Sequence, residues 1–152
     1  LDTMKKEFPN IELISTDQRA GATEEQALEK SQNLLTLFKS EVDGIFCPNE
    51  SAAAGMLGAL RQTGLNGKVK FVGFDASEKL VQALEQGDID GLVLQNPINM
   101  AYLGVKSAVE KINGGKLEPY VDTGVQVATP ENMNTAQMKQ LHSPDLSQWL
   151  GK

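Results

Sequence analysis

The sequence predicts an α/β fold: a doubly wound parallel sheet with a helical layer on each face, in three layers α/β/α. Of the 152 residues, 40% are apolar and 22% are charged, which is the balance of one globular domain with a sizeable core. Short aliphatic runs alternate along the chain with longer stretches of 3.6-residue periodicity, and Gly, Pro, Asn or Asp marks each change of period. Short, uniformly apolar strands separated by helices are typical of a parallel sheet that helices cover on both faces.

The first half of the chain carries clear signals for where helices begin and end. Residues 1–8 have the pattern of the last turns of a helix, which the following Pro-Asn pair stops. Thr23 and Gln26 have the spacing of a capping box, which predicts the start of a helix. Gly64 predicts the C-terminal cap of an Ala-rich helix. The predicted elements are strands at residues 11–14 and 44–47 and helices at residues 23–39 and 51–63.

The same alternation continues to about residue 115 and then stops. Strands are predicted at residues 69–74 and 89–94, with a helix at residues 77–86 between them. Pro97 is suited to the first turn of a helix that ends near residue 112. Beyond it, the sequence predicts an extended run at 121–128, one more helix at 129–140 and a polar tail at 144–152, in which Trp149 is expected to cover an edge of the core.

Composition and motifs exclude several classes of function. The formal net charge is −6, so the surface repels polyanions and nucleic-acid binding is not expected. The sequence has no apolar run near the roughly 20 residues of a membrane-spanning helix, no dinucleotide-binding glycine motif and no P-loop. Cys47 ends an apolar run and is expected to be buried and unreactive, and a lone His142 cannot build a His-rich metal site. We therefore expect neither catalysis nor a cofactor.

Polar side chains follow three of the predicted strands at the point where each strand ends. Asn49, Asp75 and Gln95 occupy these positions. In an open parallel sheet, ligands bind outside the carboxyl ends of the strands, so we expect these side chains to share one site. One carboxylate and two amides suit a neutral polyol, because each hydroxyl both donates and accepts a hydrogen bond. An alternative is that Asn49 and Asp75 only cap the helices that follow, whereas Gln95 is a poor cap.

Several linked motifs give the chain a family resemblance. They are residues 46–50 (FCPNE), 71–77 (FVGFDAS), 83–91 (ALEQGDIDG) and 95–97 (QNP). In order and spacing they resemble the C-terminal half of the ribose-type (type I) sugar-binding proteins of bacterial ABC transporters, from residue 1 to about residue 130. The resemblance implies the C-terminal lobe of a type I periplasmic-binding-protein fold at residues 1–95. It further implies a crossover helix at 96–122 that belongs to a missing N-terminal lobe, and a return strand and tail at 123–152.

The resemblance also implies a function, a location and a set of site residues. Such proteins capture a sugar between two lobes and deliver it to a membrane permease, in the periplasm or outside the cell, with or without a lipid anchor. The sugar contacts fall on Asn49, Asp75 and Gln95. Gln18 and Arg19 lie in a loop that could reach the ligand. Ala22 stands where the family usually has an aromatic side chain that packs on the sugar ring.

Two alternatives and one consequence stay open at this point. The effector-sensing domain of a lactose-repressor-like regulator shares the fold, although such regulators usually have a Pro-containing segment after Gly-Phe-Asp. An α/β enzyme acting on sugars is the other alternative, but no acid and base pair can be named for it. Without the N-terminal lobe, the apolar side chains of the helix at 97–112 lose the surface they cover. Either this helix folds back onto its own lobe or two chains exchange it in a domain-swapped homodimer, and we expect self-association.

Overall fold

A computed structural model describes residues 1–151 of the chain, and of Gln148 and Trp149 it describes the backbone alone. The prediction that Trp149 covers an edge of the core therefore concerns a side chain outside the described part.

The elements follow one another in the predicted order. The strands form one four-stranded sheet in the order β1-β2-β3-β4. β1, β2 and β3 are parallel, and β4 pairs antiparallel with β3, so the predicted α/β fold is confirmed with one antiparallel edge strand added. The strands are β1 (Gly44–Phe46), β2 (Lys70–Phe74), β3 (Gly91–Leu94) and β4 (Gln126–Ala128). The helices are α1 (Asp2–Glu7), α2 (Glu24–Phe38), α3 (Glu50–Thr63), α4 (Glu78–Glu85), α5 (Pro97–Ile112), α6 (Ala136–His142) and α7 (Ser147–Leu150).

The caps that the sequence predicts are formed. The Thr23 side chain accepts a hydrogen bond from the backbone N–H of Gln26, and the Gln26 side chain accepts one from the N–H of Ala22. Gly64 ends α3 with a positive φ of 66°, a conformation that glycine adopts without a steric penalty. These caps fix the ends of α2 and α3 and thereby set where the loops at the sheet edge begin.

The core lies where α2, α3 and α4 meet the sheet. Phe71 of β2 and Leu92 of β3 are fully buried together with the apolar side chains of α3 and α4. A Cβ atom on Gly55 would lie 2.5 Å from the Cβ of Ala27, so α2 and α3 pack with their backbones in close approach. This contact holds α3, and with it the residue that precedes α3, at a fixed place on the sheet.

The other face of the sheet is open. The strand residues that alternate with the buried ones are only half-buried, and Phe46 and Val127 remain 58% and 48% exposed. No side chain of α1 or α5 is buried against the described part of the chain. Within the described part of the chain, α1 and α5 therefore leave this face of the sheet uncovered.

The strand predicted at residues 11–14 is not formed. β1 pairs with β2 on one side and has no partner among the described residues on the other. Residues 11–14 lie in irregular structure, and Ile11 and Ile14 are exposed. A strand is stable only when a neighbour satisfies its backbone, and the described chain offers none at that place.

The C-terminal part also differs from the expectation. Turns replace the first half of the helix predicted at residues 129–140. The helix α6 begins only after Thr135, whose side chain caps it. The cause is local, because the Asn132 side chain accepts the N–H of Thr129 and donates to the carbonyl of Val127. Asn competes with the helical backbone in this way, which favours turns.

Two aspartates form hydrogen bonds at the edge of the sheet where the strands begin, which is opposite the edge with the candidate site. Asp88 accepts hydrogen bonds from Asn66 and Arg61 at 2.7 and 2.8 Å, which joins the end of α3 to the turn after α4. Asp90 accepts from the Lys70 ammonium at 2.5 Å and from the Phe71 N–H at 2.9 Å, which fixes the start of β3 against β2. The aspartates of the motif at residues 83–91 therefore join the end of α3 to the turn after α4 and the start of β3 to β2.

Candidate functional site

The polar residues at the ends of β1, β2 and β3 lie along one edge of the sheet, as predicted. Asn49 follows β1, Asp75 follows β2, and Gln95 follows β3. The backbone N–H of Asp75 donates to the carbonyl of Val93 at 2.8 Å, so Asp75 lies beside the end of β3. The parallel register of the strands brings the three residues to this edge of the sheet, which we call the rim. The helices α3, α4 and α5 begin immediately behind them.

Asn49 caps α3 and also faces this rim. Its Oδ1 accepts the N–H of Ala52 at 2.9 Å and the Ser51 hydroxyl at 3.2 Å. The capping interpretation is therefore correct for Asn49, yet it uses only the oxygen of the carboxamide. The Nδ2 amide, with two N–H donors, makes no hydrogen bond to any other described residue.

Asp75 has an unusual backbone and an unusual carboxyl group. Its φ of 66° is the one positive value of a non-glycine residue among those described, and Asp tolerates this left-handed conformation better than most residues. The N-cap of α4 is Ser77, so the capping interpretation is wrong for Asp75. Burial raises the pKa of the Asp75 carboxyl, and the negative charge of Glu50 raises it further. The left-handed turn thus places a partly buried carboxylate at the rim, and this carboxylate does not cap α4.

Gln95 stands where the chain leaves the sheet for α5. Its half-buried side chain borders an open cavity of about 250 Å³. The segment before β4 and the Gln137 and Gln140 side chains of α6 line the rest of this cavity. The next residue, Asn96, caps α5 by accepting the N–H of Asn99 at 3.0 Å, which leaves Gln95 outside the helix and available at the rim.

The loop before α2 holds the other predicted site residues on the surface. Gln18 is exposed and donates to the neighbouring Asp17 at 2.8 Å. Arg19 borders a shallow depression on α2 that also contains Glu29 and Lys30. Ala22 is exposed and bonded through its N–H to Gln26. The structure places these residues near the first turn of α2, and within the described chain their side chains form no hydrogen bond with Asn49, Asp75 or Gln95.

Residues that the sequence interpretation did not select also reach the rim. Glu50 begins α3 and perturbs Asp75, and Ser51 contacts Asn49. Lys79 of α4 forms an ion pair with Glu24 of α2, which ties the beginnings of these two helices together. The signal for Glu50 and Ser51 was their place directly after Asn49, in the first turn of a predicted helix.

The described part of the chain offers no metal-binding cluster and no reactive thiol. Among the described residues there is no group of three or more His, Cys, Asp or Glu that could hold a metal ion. Cys47 is buried, as predicted, and burial raises its pKa to about 12, which keeps it a thiol. His142 binds the carbonyl of Met133 and the hydroxyl of Ser143. Within the described chain, no helix is both long and apolar enough to cross a bilayer.

Comparison of the sequence with known proteins gives consistent matches. Residues 1–116 match the family described as periplasmic binding protein domain. The chain is 30% identical over 139 residues to the xylitol-binding protein of Mycolicibacterium smegmatis, covering 90% of this chain and 38% of that protein. It is 31% identical over 114 residues to the ribose import binding protein RbsB of Haemophilus influenzae, covering 75% of this chain and 38% of that protein. The D-allose-binding periplasmic protein of Escherichia coli is 30% identical over 114 residues, which is 75% of this chain and 36% of that protein.

Solved structures share the fold over most of the chain. A carbohydrate transporter solute-binding protein from Agrobacterium radiobacter, in complex with D-arabinose, superposes with a TM-score of 0.84 and 34% identity. That match covers 92% of this chain and 47% of the other. The Caulobacter myo-inositol binding protein, bound to myo-inositol, gives a TM-score of 0.77 at 30% identity, with 92% and 48% covered. The chain therefore spans under two fifths of these curated relatives and about half of these solved structures.

Proposed function

This chain belongs to the periplasmic binding protein domain family, and on that basis we propose that it forms one lobe of the solute-binding component of an ABC transporter. The complete protein captures a sugar or related polyol between two lobes and delivers it to the membrane permease, without catalysing a reaction. The observation that carries this proposal is the convergence of Asn49, Asp75 and Gln95 on one edge of the sheet.

The chemistry of these side chains suits a neutral polyhydroxy ligand. Asn49 offers N–H donors, the Asp75 carboxylate accepts, and Gln95 can do both. A hydrogen bond to an ionised acceptor is stronger than one between neutral groups, so Asp75 is the energetic anchor of this half of the site. The named relatives and structures bind or import xylitol, ribose, allose, arabinose and myo-inositol, which all carry several hydroxyls and no charge.

The loop at residues 15–22 forms the side of the same cleft. The ion pair between Glu24 and Lys79 supports this, because it holds the beginning of α2 beside α4, which follows Asp75. Gln18 and Arg19 then contact the ligand from this side once the cleft closes. Ala22 presents only a methyl group, so this lobe does not stack an aromatic ring on the ligand at that position.

The second lobe covers α5. The helix exposes apolar side chains along its length, and burying each of them contributes roughly 1.5 to 3 kcal/mol. Residues 96–122 cross to the second lobe and residues 123–152 return from it, in keeping with the cavity that both crossing segments border beside Gln95. The exposed side chains are Ile98, Met100, Tyr102, Val105, Val109 and Ile112.

The location of the complete protein follows from its role. A protein that hands a solute to an importer acts on the outer side of the cell membrane. We therefore place it in the periplasm or, in a cell that has none, at the outer surface with a lipid anchor.

A thermal-shift panel on the complete protein tests the proposal. The panel contains xylitol, D-ribose, D-allose, D-arabinose and myo-inositol, with D-ribose 5-phosphate as a charged control. A ligand at about 100 times its Kd stabilises the folded protein by roughly 2.7 kcal/mol, which raises Tm by several degrees. We expect at least one neutral polyol to do so and the phosphate to have no effect. If no polyol shifts Tm, the proposal is wrong.

A further inference from the structure

Ser51, in the first turn of α3, contacts a residue of the proposed site. Its hydroxyl donates to Oδ1 of Asn49 at 3.2 Å. The same oxygen accepts the backbone N–H of Ala52 at 2.9 Å. Two donors therefore converge on one end of the Asn49 carboxamide.

This arrangement fixes which end of the carboxamide is available. A carboxamide accepts through its oxygen and donates through its nitrogen. If the amide rotated by half a turn, the N–H of Ala52 would face the Nδ2 hydrogens and its hydrogen bond would be lost, so the oxygen stays on the side of the helix. The Nδ2 end must therefore point away from the helix, and it makes no hydrogen bond to another described residue.

Both hydrogen bonds restrain the Asn49 carboxamide. The hydrogen bond from Ala52 alone opposes rotation of the Asn49 side chain about its χ1 and χ2 angles. The hydrogen bond from the Ser51 hydroxyl adds a second restraint on the same oxygen. Ordering a donor before the ligand arrives reduces the entropy that is lost on binding.

We propose, on the basis of the proposed function, that Ser51 is a positioning residue for polyol binding: its hydroxyl holds Asn49 with both Nδ2 hydrogens toward the ligand. Asn49 then acts as a donor only, and Asp75 acts as an acceptor only. The rim has a defined polarity, in which one ligand oxygen accepts from Asn49 and a ligand hydroxyl donates to Asp75.

Titration calorimetry on the complete protein tests this role with the polyol that gives the largest shift in the panel above. The variants are Ser51→Ala, which lacks the hydroxyl, and Ser51→Thr, which restores it. Ser40→Ala is the matched control, because Ser40 is exposed just after α2, away from the rim. We expect Ser51→Ala to weaken binding by about 2- to 10-fold, the range for one neutral hydrogen bond. Ser51→Thr and Ser40→Ala should stay within about twofold of wild type by the same measure.

The side-chain NH2 signals of Asn49 in NMR spectra, recorded without ligand, provide the second readout. We expect sharp, dispersed signals in wild type and Ser51→Thr, and broadened or shifted signals in Ser51→Ala. Unchanged affinity in Ser51→Ala, failure of Ser51→Thr to restore it, or unchanged Asn49 signals in Ser51→Ala would each overturn the positioning role. The NMR comparison needs no ligand, so it tests Ser51 even if wild type binds none of the polyols and the proposed function fails.

Discussion

The side-chain oxygen of Asn49 lies 2.9 Å from the backbone nitrogen of Ala52 and accepts its hydrogen bond, so one residue both caps α3 and faces the proposed site. In the proposed site, capping and ligand binding use opposite ends of the same carboxamide. They can therefore be separated by substitution.

Asn49→Ser and Asn49→Ala should separate the two roles. Serine keeps an oxygen that caps the helix but loses the N–H donor, whereas alanine loses both. We expect Asn49→Ala to lower the free energy of unfolding by about 0.5 to 2 kcal/mol and Asn49→Ser to lower it by much less. Both should weaken polyol binding to a similar degree. Urea unfolding and titration calorimetry on the complete protein measure the two effects. Full binding by Asn49→Ser would show that the amide nitrogen has no contact with the ligand.

Glu50 should make polyol binding sensitive to acid. Burial and then the charge of Glu50 raise the pKa of the Asp75 carboxyl above its ordinary value. If the ionised carboxylate accepts from the ligand, affinity falls as the pH drops through this raised pKa, earlier than for an ordinary aspartate. Glu50→Gln removes the charge, lowers the pKa of Asp75 and extends binding to lower pH.

Calorimetry across pH 4 to 7 measures this shift. The matched control is Glu78→Gln in the first turn of α4, because Glu78 is not among the charges that raise the pKa of Asp75. The prediction is wrong if Glu50→Gln and Glu78→Gln give the same pH profile.

Asp88 should make the stability of the folded chain depend on pH, through a pKa that is shifted in the opposite direction to that of Asp75. Its hydrogen bond from Asn66 lowers its pKa most, burial raises it, and the hydrogen bond and charge of Arg61 lower it further. For a carboxyl with a depressed pKa in the folded state, the stabilisation is complete above its unfolded pKa and is lost as the pH falls through the folded value.

Asp88→Asn should therefore lower the free energy of unfolding at pH 7 by about 1.5 to 3 kcal/mol, the range for hydrogen bonds to a charged group. The loss should shrink toward pH 3, because the pH is then below the ordinary pKa of the unfolded carboxyl and the wild-type stabilisation is partly lost. Unfolding by urea at both pH values tests this, and an equal loss at both would contradict the ionic role. Asp43→Asn, at an exposed position at the same edge of the sheet, is the control.

The isolated chain should associate into a homodimer. The apolar side chains of α5 are exposed to solvent, and Phe46 is exposed on the open face of the sheet. Residues 95–97 and 114–119 are the hinges through which two chains can exchange α5. Multi-angle light scattering of this chain at increasing concentration should give the mass of a dimer. A monomer at all concentrations would show that α5 finds its cover within one chain.

The sequence allowed the strands, the helices and the rim to be predicted where local signals and packing agree. The helix α3 has an N-cap, an Ala-rich buried face and a C-terminal glycine, and each was visible in the residues. The strand at residues 11–14 could not be judged in this way, because strand formation depends on a neighbour and not on the strand's own residues. The roles of Glu50 and Ser51 depend on distances across a turn, which residue types alone do not give.

Asp75 is the anchor of the neutral polyol in the proposed site, and one calorimetric comparison tests this role. Asp75→Asn keeps the size of the side chain and tolerates the left-handed backbone at φ 66°, so it removes the charge with little strain. In the complete protein, we expect Asp75→Asn to weaken binding of the best polyol of the panel by at least about 30-fold, equivalent to about 2 kcal/mol. An affinity in Asp75→Asn equal to that of wild type would show that the Asp75 carboxylate does not anchor the ligand.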